Sequence, residues 1–414
     1  MITKIKNGIR EKSILKNGIY ITISRFTKYF LMLLFTILST RYLSTEDYGR
    51  LSYYISQISI ISIFFTLGTD IYIVIQISKH SDKKDKYITQ NIINRIIMIS
   101  TITTLFILNI LVGSKEKYDI IVILLYLSFI FDSFRTVSDG YFQAIEEMKI
   151  VAFSELLRSI LLLIFMGIFV LCDLKLTGLA LAYFISTLIV FISCYYIMFI
   201  RYKVKLTKFS LTEQKVLIVS SIPFFINILV NVLTVQIDII MIKNLMGYVE
   251  TAYYNSAKKF IDIVLIIPGI ITTVLLPKLS KKEINSDNNK KLLKGILLIG
   301  IVVMLGTLIL SKFLITIAFG KQYLPSYKIL NLFALGFPII FINAYFGTLF
   351  NSIGKQKICL YVNIINTLLN VILNYFLIPI IKANGAAIAT VITIYSTCIM
   401  YMLIFNKNKS IIFD

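Results

Sequence analysis

One apolar stretch decides the fold: KVLIVSSIPFFINILVNVLTVQIDIIMIK, which runs from Lys215 to Lys243. It is longer than the ~20 residues that a helix needs to cross the hydrocarbon core of a bilayer, so it predicts a transmembrane helix. Its polar residues recur at helical spacing on one face, and they are Asn227, Asn231, Thr234 and Asp238. For the Asn and Thr residues this face predicts either helix packing or the lining of a cavity. For Asp238 a cavity role is favoured, because an unpaired carboxylate in lipid is expensive.

The rest of the chain is equally apolar. Hydrophobic residues make up 57% of the sequence and the mean hydropathy is +0.84, whereas soluble proteins contain roughly 45 to 50% apolar residues. The composition therefore predicts an all-α polytopic membrane protein. The first apolar run is long and no small-residue cleavage site follows a short one, so we expect no removed signal peptide.

The formal net charge of +21 could suggest a nucleic-acid partner. The Lys and Arg residues, however, lie mainly in the short linkers between apolar runs, which is typical of membrane topology, with anionic lipid or substrate as a secondary interpretation. We therefore expect no nucleic acid as a partner.

The four cysteines form no close pairs and the single histidine, His80, lies in a charged linker, so we expect no metal site and no cofactor. The sequence contains no arrangement of nucleophile and base and no ATP-binding motif, which predicts that the chain is not an enzyme.

Apolar run length predicts twelve spans. They lie at about 19–39, 51–77, 92–113, 119–143, 151–171, 178–200, 216–243, 253–276, 293–319, 328–352, 358–380 and 385–405. Basic residues are concentrated in alternate linkers and in both tails, which predicts that both termini are cytoplasmic. The linkers on the outer side are short, so we expect the function to be performed within the membrane.

The two halves of the sequence resemble each other at three places in the same order. RYLSTEDYGRL at 41–51 matches KNLMGYVETAY at 243–253, QAIEEMKI at 143–150 matches NSIGKQKI at 351–358, and GLALA at 178–182 matches GAAIA at 385–389. Six spans is an even number, so the copies begin on the same side of the membrane and form a parallel repeat. We predict an N-terminal lobe at 1–200, a basic cytoplasmic linker at 201–215 and a C-terminal lobe at 216–414, with the transport pathway between the lobes.

Charged residues inside the predicted spans are candidates for function. The first span carries Arg25 and Lys28, and the repeat places Arg25 opposite Asn227. This match favours an anion-facing group in a cavity, although a long Arg side chain can also snorkel to the interface.

Two further groups of charges follow at helical spacing. The fourth and fifth spans carry Asp132, Arg135, Asp139, Glu155 and Arg158. Opposite charges at these spacings can neutralise one another, so the group is either a structural ion-pair cluster or a gate or proton site.

The eighth span carries Lys258, Lys259 and Asp262, for which a local pair between Lys258 and Asp262 leaves net positive charge. The eleventh span presents four asparagines on one face, where helix packing and cavity lining are both open. They are Asn363, Asn366, Asn370 and Asn374.

Several short motifs together resemble the polysaccharide-transporter family of the MATE-like MOP superfamily, specifically Wzx-type O-antigen flippases. They are NGIY at 17–20, SR at 24–25, LSTEDYG at 43–49, the stretch 238–253, FGKQY at 319–323 and NGAAIA at 384–389. The resemblance covers nearly the whole chain. It implies twelve helices in two lobes and the movement of an undecaprenyl-pyrophosphate-linked oligosaccharide, an O-antigen or capsule repeat unit, from the cytoplasmic to the periplasmic leaflet of a bacterial inner membrane.

The resemblance also implies the position of the cavity, on the first, second, seventh and eighth spans. Among its candidate residues we expect substrate contacts from Arg25, Lys28, Asn227, Asn231, Lys258 and Lys259. We expect coupling or gating from Asp70, Asp132, Arg135, Asp139, Glu155, Arg158, Asp238 and Asp262. Expected partners are the lipid bilayer, H⁺ or Na⁺, a polysaccharide polymerase and a chain-length regulator.

Two other classes compete with the flippase. An ion-coupled small-molecule antiporter on the same fold would need an acidic cavity for cationic cargo, and the net basic character disfavours it. A membrane glycosyltransferase or polymerase would need a large outer loop with catalytic carboxylates or a His, and the sequence predicts neither.

Overall fold

The computed structural model describes residues 26–113, 119–280 and 286–407, and within these ranges every regular element is a helix. The predicted all-α fold is therefore confirmed. The α-helices in chain order are α1 (26–42), α2 (Thr45–Thr66), α3 (Thr69–Lys79), α4 (Lys84–Gly113), α5 (Ile120–Ala144), α6 (Met148–Leu171), α7 (Lys175–Tyr196), α8 (Leu211–Met246), α9 (Tyr248–Val264), α10 (Ile266–Ser280), α11 (Ser286–Phe319), α12 (Ser326–Ser352), α13 (Gln356–Ile381) and α14 (Ala383–Lys407).

Within the described residues, each predicted span falls on one helix or on a consecutive pair of helices; residues 19–25 of the first span lie outside them. Among the described residues, eight helices are long and apolar enough to cross a membrane, and there are nine if the bent pair α2 and α3 is one span. The other predicted spans, the first, third and eighth, fall on α1, α4 and the pair α9 and α10. The protein is a multi-pass membrane protein, and the twelve predicted spans are consistent with its helices.

The second and eighth predicted spans are each formed by two consecutive helices. The second span bends by 40° between α2 and α3, where Leu67 and Gly68 adopt positive φ values of 46° and 70°. A side chain on Gly68 would meet the backbone nitrogen of Phe225 at 2.5 Å, so only glycine fits this close approach. The eighth span is interrupted at Leu265, shortly before Pro268, which has no amide hydrogen for a helical bond. Hydropathy does not report either break.

The predicted repeat is visible in local backbone geometry. After α5, Glu146 has φ 63°, and after α12, Gly354 has φ 73°; the two positions are 208 residues apart, the offset found in the sequence. In both turns the backbone amide of the next residue donates a hydrogen bond of 2.8 Å to the carbonyl oxygen five residues earlier. Glu147 donates to Phe142, and Lys355 donates to Phe350. These bonds define the same Schellman turn at the ends of both helices.

The contacts divide the chain into two compact units. Unit 1 contains the described residues 26–35 together with 57–229, and unit 2 contains 36–56 together with the described residues from 230 to 407. The predicted lobes at 1–200 and 216–414 rest on the sequence repeat and stay a prediction.

Unit 1 is organised around a core contributed by α3, α4, α5, the turn after α7 and the first part of α8. Its buried residues are Ile73, Ile77, Ile88, Val137, Tyr141, Phe142, Met198, Val204 and Leu217. The segment between α7 and α8 is packed against α4: the amides of Lys205 and Thr207 donate to Asp85 and Thr89 over 3.2 and 3.0 Å. The predicted linker is thus docked on unit 1.

Unit 2 is organised around α12, whose aromatic side chains pack with residues of α10, α11, α13 and α14. The buried core of this unit consists of Leu275, Ile296, Phe341, Ile342, Tyr345, Phe346, Leu349, Phe350, Val362, Cys398 and Tyr401. Helices α11 and α12 approach closely at Gly300, where a side chain would lie 2.7 Å from the Cα of Pro338.

Candidate functional site

The charged residues predicted on the fourth and fifth spans meet in unit 1. The guanidinium of Arg135 lies 2.9 Å from Oδ1 of Asp132 through Nε and bonds Asp139 through Nη1. The hydroxyl of Ser154 on α6 lies 3.2 Å from the other oxygen of Asp139. Because Arg135 stands three and four residues from its two acids, successive turns of α5 place both carboxylates against it.

The cluster extends to α1 and to a second arginine. Arg158 lies 3.7 Å from Asp132, and the ammonium of Lys28 lies 3.2 Å from Glu155. We call this group the α5–α6 ion cluster; its members are Lys28, Asp132, Arg135, Asp139, Glu155 and Arg158. Three acids face three bases, so the cluster carries no formal net charge. Lys28 was predicted to contact substrate, and in the structure its ammonium is paired with Glu155.

Asp70 is the centre of a second polar group in unit 1. Arg95 bonds Oδ1 of Asp70 through Nη2, and the side-chain amide of Asn91 donates to the same oxygen over 3.2 Å. The hydroxyl of Thr136 lies 2.9 Å from Oδ2, while the hydroxyl of Thr69 donates to Asn91 over 2.6 Å. These residues, the Asp70 cluster, connect α3, α4 and α5.

Sequence reasoning found Asp70 but missed Arg95. The side chain of Arg95 is 0% exposed, and its Nε and Nη1 have no hydrogen-bond partner in the part of the chain that the structure describes. A signal was present: Gln90, Asn91, Asn94 and Arg95 form a polar band at the start of the third span. The third span was predicted from residue 92, and no role was assigned to these polar residues.

Asp238 is the centre of the polar group in unit 2. It is 2% exposed, and its Oδ1 accepts from the side-chain amide of Asn374 over 2.6 Å. Its Oδ2 accepts from the hydroxyl of Tyr254 and lies 3.1 Å from the hydroxyl of Thr390. Asn374 also donates to Asn370 over 2.9 Å. We call Asp238, Tyr254, Asn374 and Thr390 the Asp238 cluster.

The Asp238 cluster contains no basic side chain. Among the described residues, no Lys or Arg nitrogen lies within the 4.0 Å that defines an ion pair with Asp238. All three contacts to the carboxylate come from uncharged groups, and these belong to α9, α13 and α14. The carboxylate is therefore buried without a paired cation, which is an expensive arrangement for a permanently ionised group.

The residues of the polar stripe predicted along α8 differ in their exposure. Asn227 and Asn231 are exposed at the helix surface, whereas Asp238 is buried. Between them, the hydroxyl of Thr234 lies 2.5 Å from that of Thr367 on α13.

The two lysines of α9 have different partners. Lys259 lies 3.4 Å from Asp262, so the local pair predicted for Lys258 is made by its neighbour, at a spacing of three residues. Lys258 instead donates to the backbone carbonyl of Val235 and lies 5.9 Å from the ring centre of Tyr254. Arg25, the predicted anion-binding residue, lies outside the described residues.

Comparison with known proteins shows the family of the chain. The family described as polysaccharide biosynthesis protein matches residues 14–283, which is well over half of the chain. The chain belongs to this family. A similar relative is the capsular polysaccharide biosynthesis protein CapF of Staphylococcus aureus, which is 26% identical over 404 residues, covering 93% of this chain and 96% of the relative.

Solved structures show which fold this member of the polysaccharide biosynthesis family has. The lipid II flippase MurJ in an inward closed conformation aligns with a TM-score of 0.77 at 19% identity, covering 95% of this chain and 87% of that one. An inward-facing multidrug resistance MATE transporter of the MOP superfamily aligns with a TM-score of 0.75 at 16% identity, covering 94% and 98%. The predicted MATE-like fold is confirmed.

Proposed function

We propose that the protein is a flippase that moves an undecaprenyl-pyrophosphate-linked oligosaccharide, an O-antigen or capsule repeat unit, across the bacterial inner membrane. The observation that carries this proposal is that the chain belongs to the polysaccharide biosynthesis family and has charged clusters on its membrane-spanning helices. It is supported by the likeness of the fold to MurJ, which is described as a lipid II flippase. In this proposal the protein is a transporter and catalyses no bond chemistry.

The chemistry of the cargo accounts for basic residues inside the membrane. A lipid-linked oligosaccharide combines an anionic pyrophosphate with a polar glycan and a long apolar tail. The pyrophosphate needs cations that are not already neutralised by neighbouring acids. Lys258 is the candidate among the described residues, because its ammonium is hydrogen-bonded to a neutral carbonyl and forms no direct ion pair, although the charges of Asp238 and Asp262 also act on it. Arg25 remains the second candidate, since a guanidinium can bind phosphate with two parallel hydrogen bonds.

We propose that Asp238 is the coupling residue and that H⁺ or Na⁺ is the coupling ion. The α5–α6 ion cluster is internally neutral, so a cation entering it must displace an existing partner. The hydrogen-bond partners of Asp238 among the described residues are all uncharged, and Lys258 acts on it only through space. Binding of a proton or a monovalent cation would neutralise the buried carboxylate. Opening the protein alternately to the two sides of the membrane would then deliver the ion and the cargo in turn.

Deletion of the gene with complementation is the decisive experiment for the function. The deletion strain should lose surface polysaccharide and accumulate lipid-linked oligosaccharide in the inner leaflet of the cytoplasmic membrane. The wild-type gene should restore display. A strain that lacks lipid-linked oligosaccharide altogether would place the defect in synthesis and overturn the flippase proposal. Both termini in the cytoplasm, and partnership with a polysaccharide polymerase and a chain-length regulator, complete the proposal.

A further inference from the structure

A groove with a volume of about 300 Å³ lies in unit 1 where α4 and α8 begin. It is separate from the clusters described above, and its lining includes Tyr72, Lys83, Lys86, Gln90, Thr212 and Glu213. The linkers next to both helix starts are predicted to be cytoplasmic, so the groove is expected near the inner membrane surface.

The charges of the lining sum to one positive charge. Lys86 and Glu213 form an ion pair across the groove and neutralise each other. The ammonium of Lys83 makes no hydrogen bond or ion pair with any residue that the structure describes, so its charge is available. A phosphodiester carries one negative charge, which matches the charge left in the groove.

Both helices present their amino-terminal ends at the groove. Lys86 and Gln90 belong to the first turns of α4, and Thr212 and Glu213 belong to the first turn of α8. The first amides of a helix lack partners within the helix and carry partial positive charge, which favours an anion. A phosphate bound here would therefore meet a positive potential from two directions.

Gln90 is the observation that points to a ligand. The residue is 2% exposed, yet neither its Oε1 nor its Nε2 has a hydrogen-bond partner among the described residues. A buried side-chain amide without partners requires an explanation. The amide nitrogen can donate to a phosphate oxygen, and the amide oxygen can accept from a hydroxyl of the same ligand.

The surface beside the groove has the composition of a membrane interface. The docked segment and the first residue of α8 expose three apolar side chains, Leu206, Phe209 and Leu211. Two exposed lysines, Lys205 and Lys208, are interspersed with them. Exposed apolar side chains interleaved with lysines are typical of segments that lie on an anionic bilayer surface. A ligand with an acyl chain would place its apolar part here, which a soluble phosphate would not use.

We propose that this groove binds the headgroup of an anionic phospholipid that carries a phosphodiester and a free hydroxyl, as phosphatidylglycerol does. Lys83 supplies the compensating charge, the dipoles of α4 and α8 add positive potential, and Gln90 supplies the donor and acceptor that distinguish the headgroup. The site is independent of the transported cargo.

The test uses the purified full-length protein in detergent, titrated with short-chain phosphatidylglycerol while its thermal unfolding is followed. The variants are Lys83→Gln, which removes the free charge, and Gln90→Met, which keeps the length of the side chain and removes the amide. Lys357→Gln is the matched control, because Lys357 is exposed at the start of α13 in unit 2. Each groove variant should weaken the apparent affinity for phosphatidylglycerol about tenfold or more, and the control should not.

Gln90→Met also separates a ligand contact from a structural one. Because the amide has no hydrogen-bond partner among the residues that the structure describes, its loss should leave the unfolding temperature without lipid unchanged or raised. Phosphatidylcholine and inorganic phosphate are the comparison ligands, and neither should reproduce the effect of phosphatidylglycerol. Equal stabilisation of wild type and both groove variants by phosphatidylglycerol would overturn the proposal. Stabilisation by inorganic phosphate alone, lost in the groove variants, would assign the site to a soluble anion and overturn the lipid assignment.

Discussion

The side-chain amide of Asn374 donates to Oδ1 of Asp238 over 2.6 Å, although the two residues are 136 positions apart in the sequence. Asp238 belongs to the part of α8 that lies in unit 2 and Asn374 belongs to α13, so the bond joins two apolar helices at a polar point. The second carboxylate oxygen meets Tyr254 and Thr390. A carboxylate held only by uncharged groups can take up a cation without first breaking an ion pair, which makes Asp238 the residue to test for coupling.

The variant Asp238→Asn should abolish the response of transport to the driving gradient. The amide keeps the size of the side chain but can neither ionise nor balance a bound cation. The measurement is uptake of lipid-linked oligosaccharide into proteoliposomes under imposed pH and sodium gradients. Asp262→Asn is the control, because Asp262 is a partly exposed acid paired with Lys259, and it should retain the response.

Two outcomes of the uptake experiment count against coupling at Asp238. If Asp238→Asn responds to the gradient as wild type does, the coupling group lies elsewhere, and the acids of the α5–α6 ion cluster are next. If wild-type transport ignores both gradients, ion coupling itself fails. Consumption of the cargo on the outer side would then supply the driving force.

The buried pair of Asp70 and Arg95 should dominate the local stability of unit 1. Asp70→Asn leaves the fully buried guanidinium of Arg95 without its charged partner. Breaking a buried ion pair in this way costs about 3 to 5 kcal/mol. The double variant Asp70→Asn with Arg95→Met should lose less free energy of unfolding than Asp70→Asn alone, because no uncompensated charge remains. Reversible unfolding in detergent micelles measures the free energies of unfolding.

The matched control for this pair is the i,i+3 pair of Lys259 and Asp262, whose side chains are 29% and 34% exposed. An ion pair with this exposure contributes about 1 kcal/mol or less, so Asp262→Asn should have a small effect. A loss in Asp70→Asn no greater than the loss in this control would show that the guanidinium is solvated and that Asp70 is not its necessary partner.

The sequence was sufficient for features that depend on neighbouring residues. Run length predicted twelve spans that are consistent with the helices of the structure, because crossing the bilayer requires a long apolar helix. Helical spacing identified the pairing of Arg135 with Asp132 and Asp139, since three and four residues make adjacent turns. The repeat also followed from the sequence, and the Schellman turns at Glu146 and Gly354 reproduce its offset.

Features that depend on distant residues could not be obtained in this way. Arg95 finds Asp70 across 25 positions on another helix, and its own helix shows no acid at a suitable spacing. At the break, the backbone of Phe225 leaves no room for a side chain on Gly68, a contact that apolar composition does not reveal. Asp238 was identified as unusual, but its partners Tyr254 and Thr390 come from α9 and α14, so only the tertiary structure names them.

The membrane topology gives a third prediction. Basic residues retain linkers in the cytoplasm, so reporter fusions after Lys290 and after Lys407 should report a cytoplasmic location. A fusion after Lys321, between α11 and α12, should report the periplasm. The three fusions serve as controls for one another, because the location that they report must change from cytoplasm to periplasm and back along the chain. The reverse pattern, or the same side for all three, would contradict the arrangement of twelve spans.

The last prediction concerns the pyrophosphate. Arg25 is a permanently charged residue of the first span and matches the polar stripe of α8 in the repeat. A guanidinium can make two charge-assisted hydrogen bonds to phosphate, each contributing about 1.5 to 3 kcal/mol. Losing both should weaken binding by ~100-fold or more. We therefore expect Arg25→Lys to retain partial function and Arg25→Gln to retain little, with both proteins inserted at normal levels. Surface-polysaccharide display, normalised to protein abundance in the membrane, measures the effect.

Normal display in Arg25→Gln would assign Arg25 to the interface as a snorkelling residue. The structure then indicates which lysine of α9 to test next. Lys259 already has Asp262 as its partner. The ammonium of Lys258 instead donates a hydrogen bond to the carbonyl of Val235, a neutral group that an anion can replace. Lys258→Gln should then abolish display while Lys259→Gln preserves most of it. Equal loss in both variants would indicate that the net positive charge of α9, and not a contact by one ammonium, attracts the pyrophosphate.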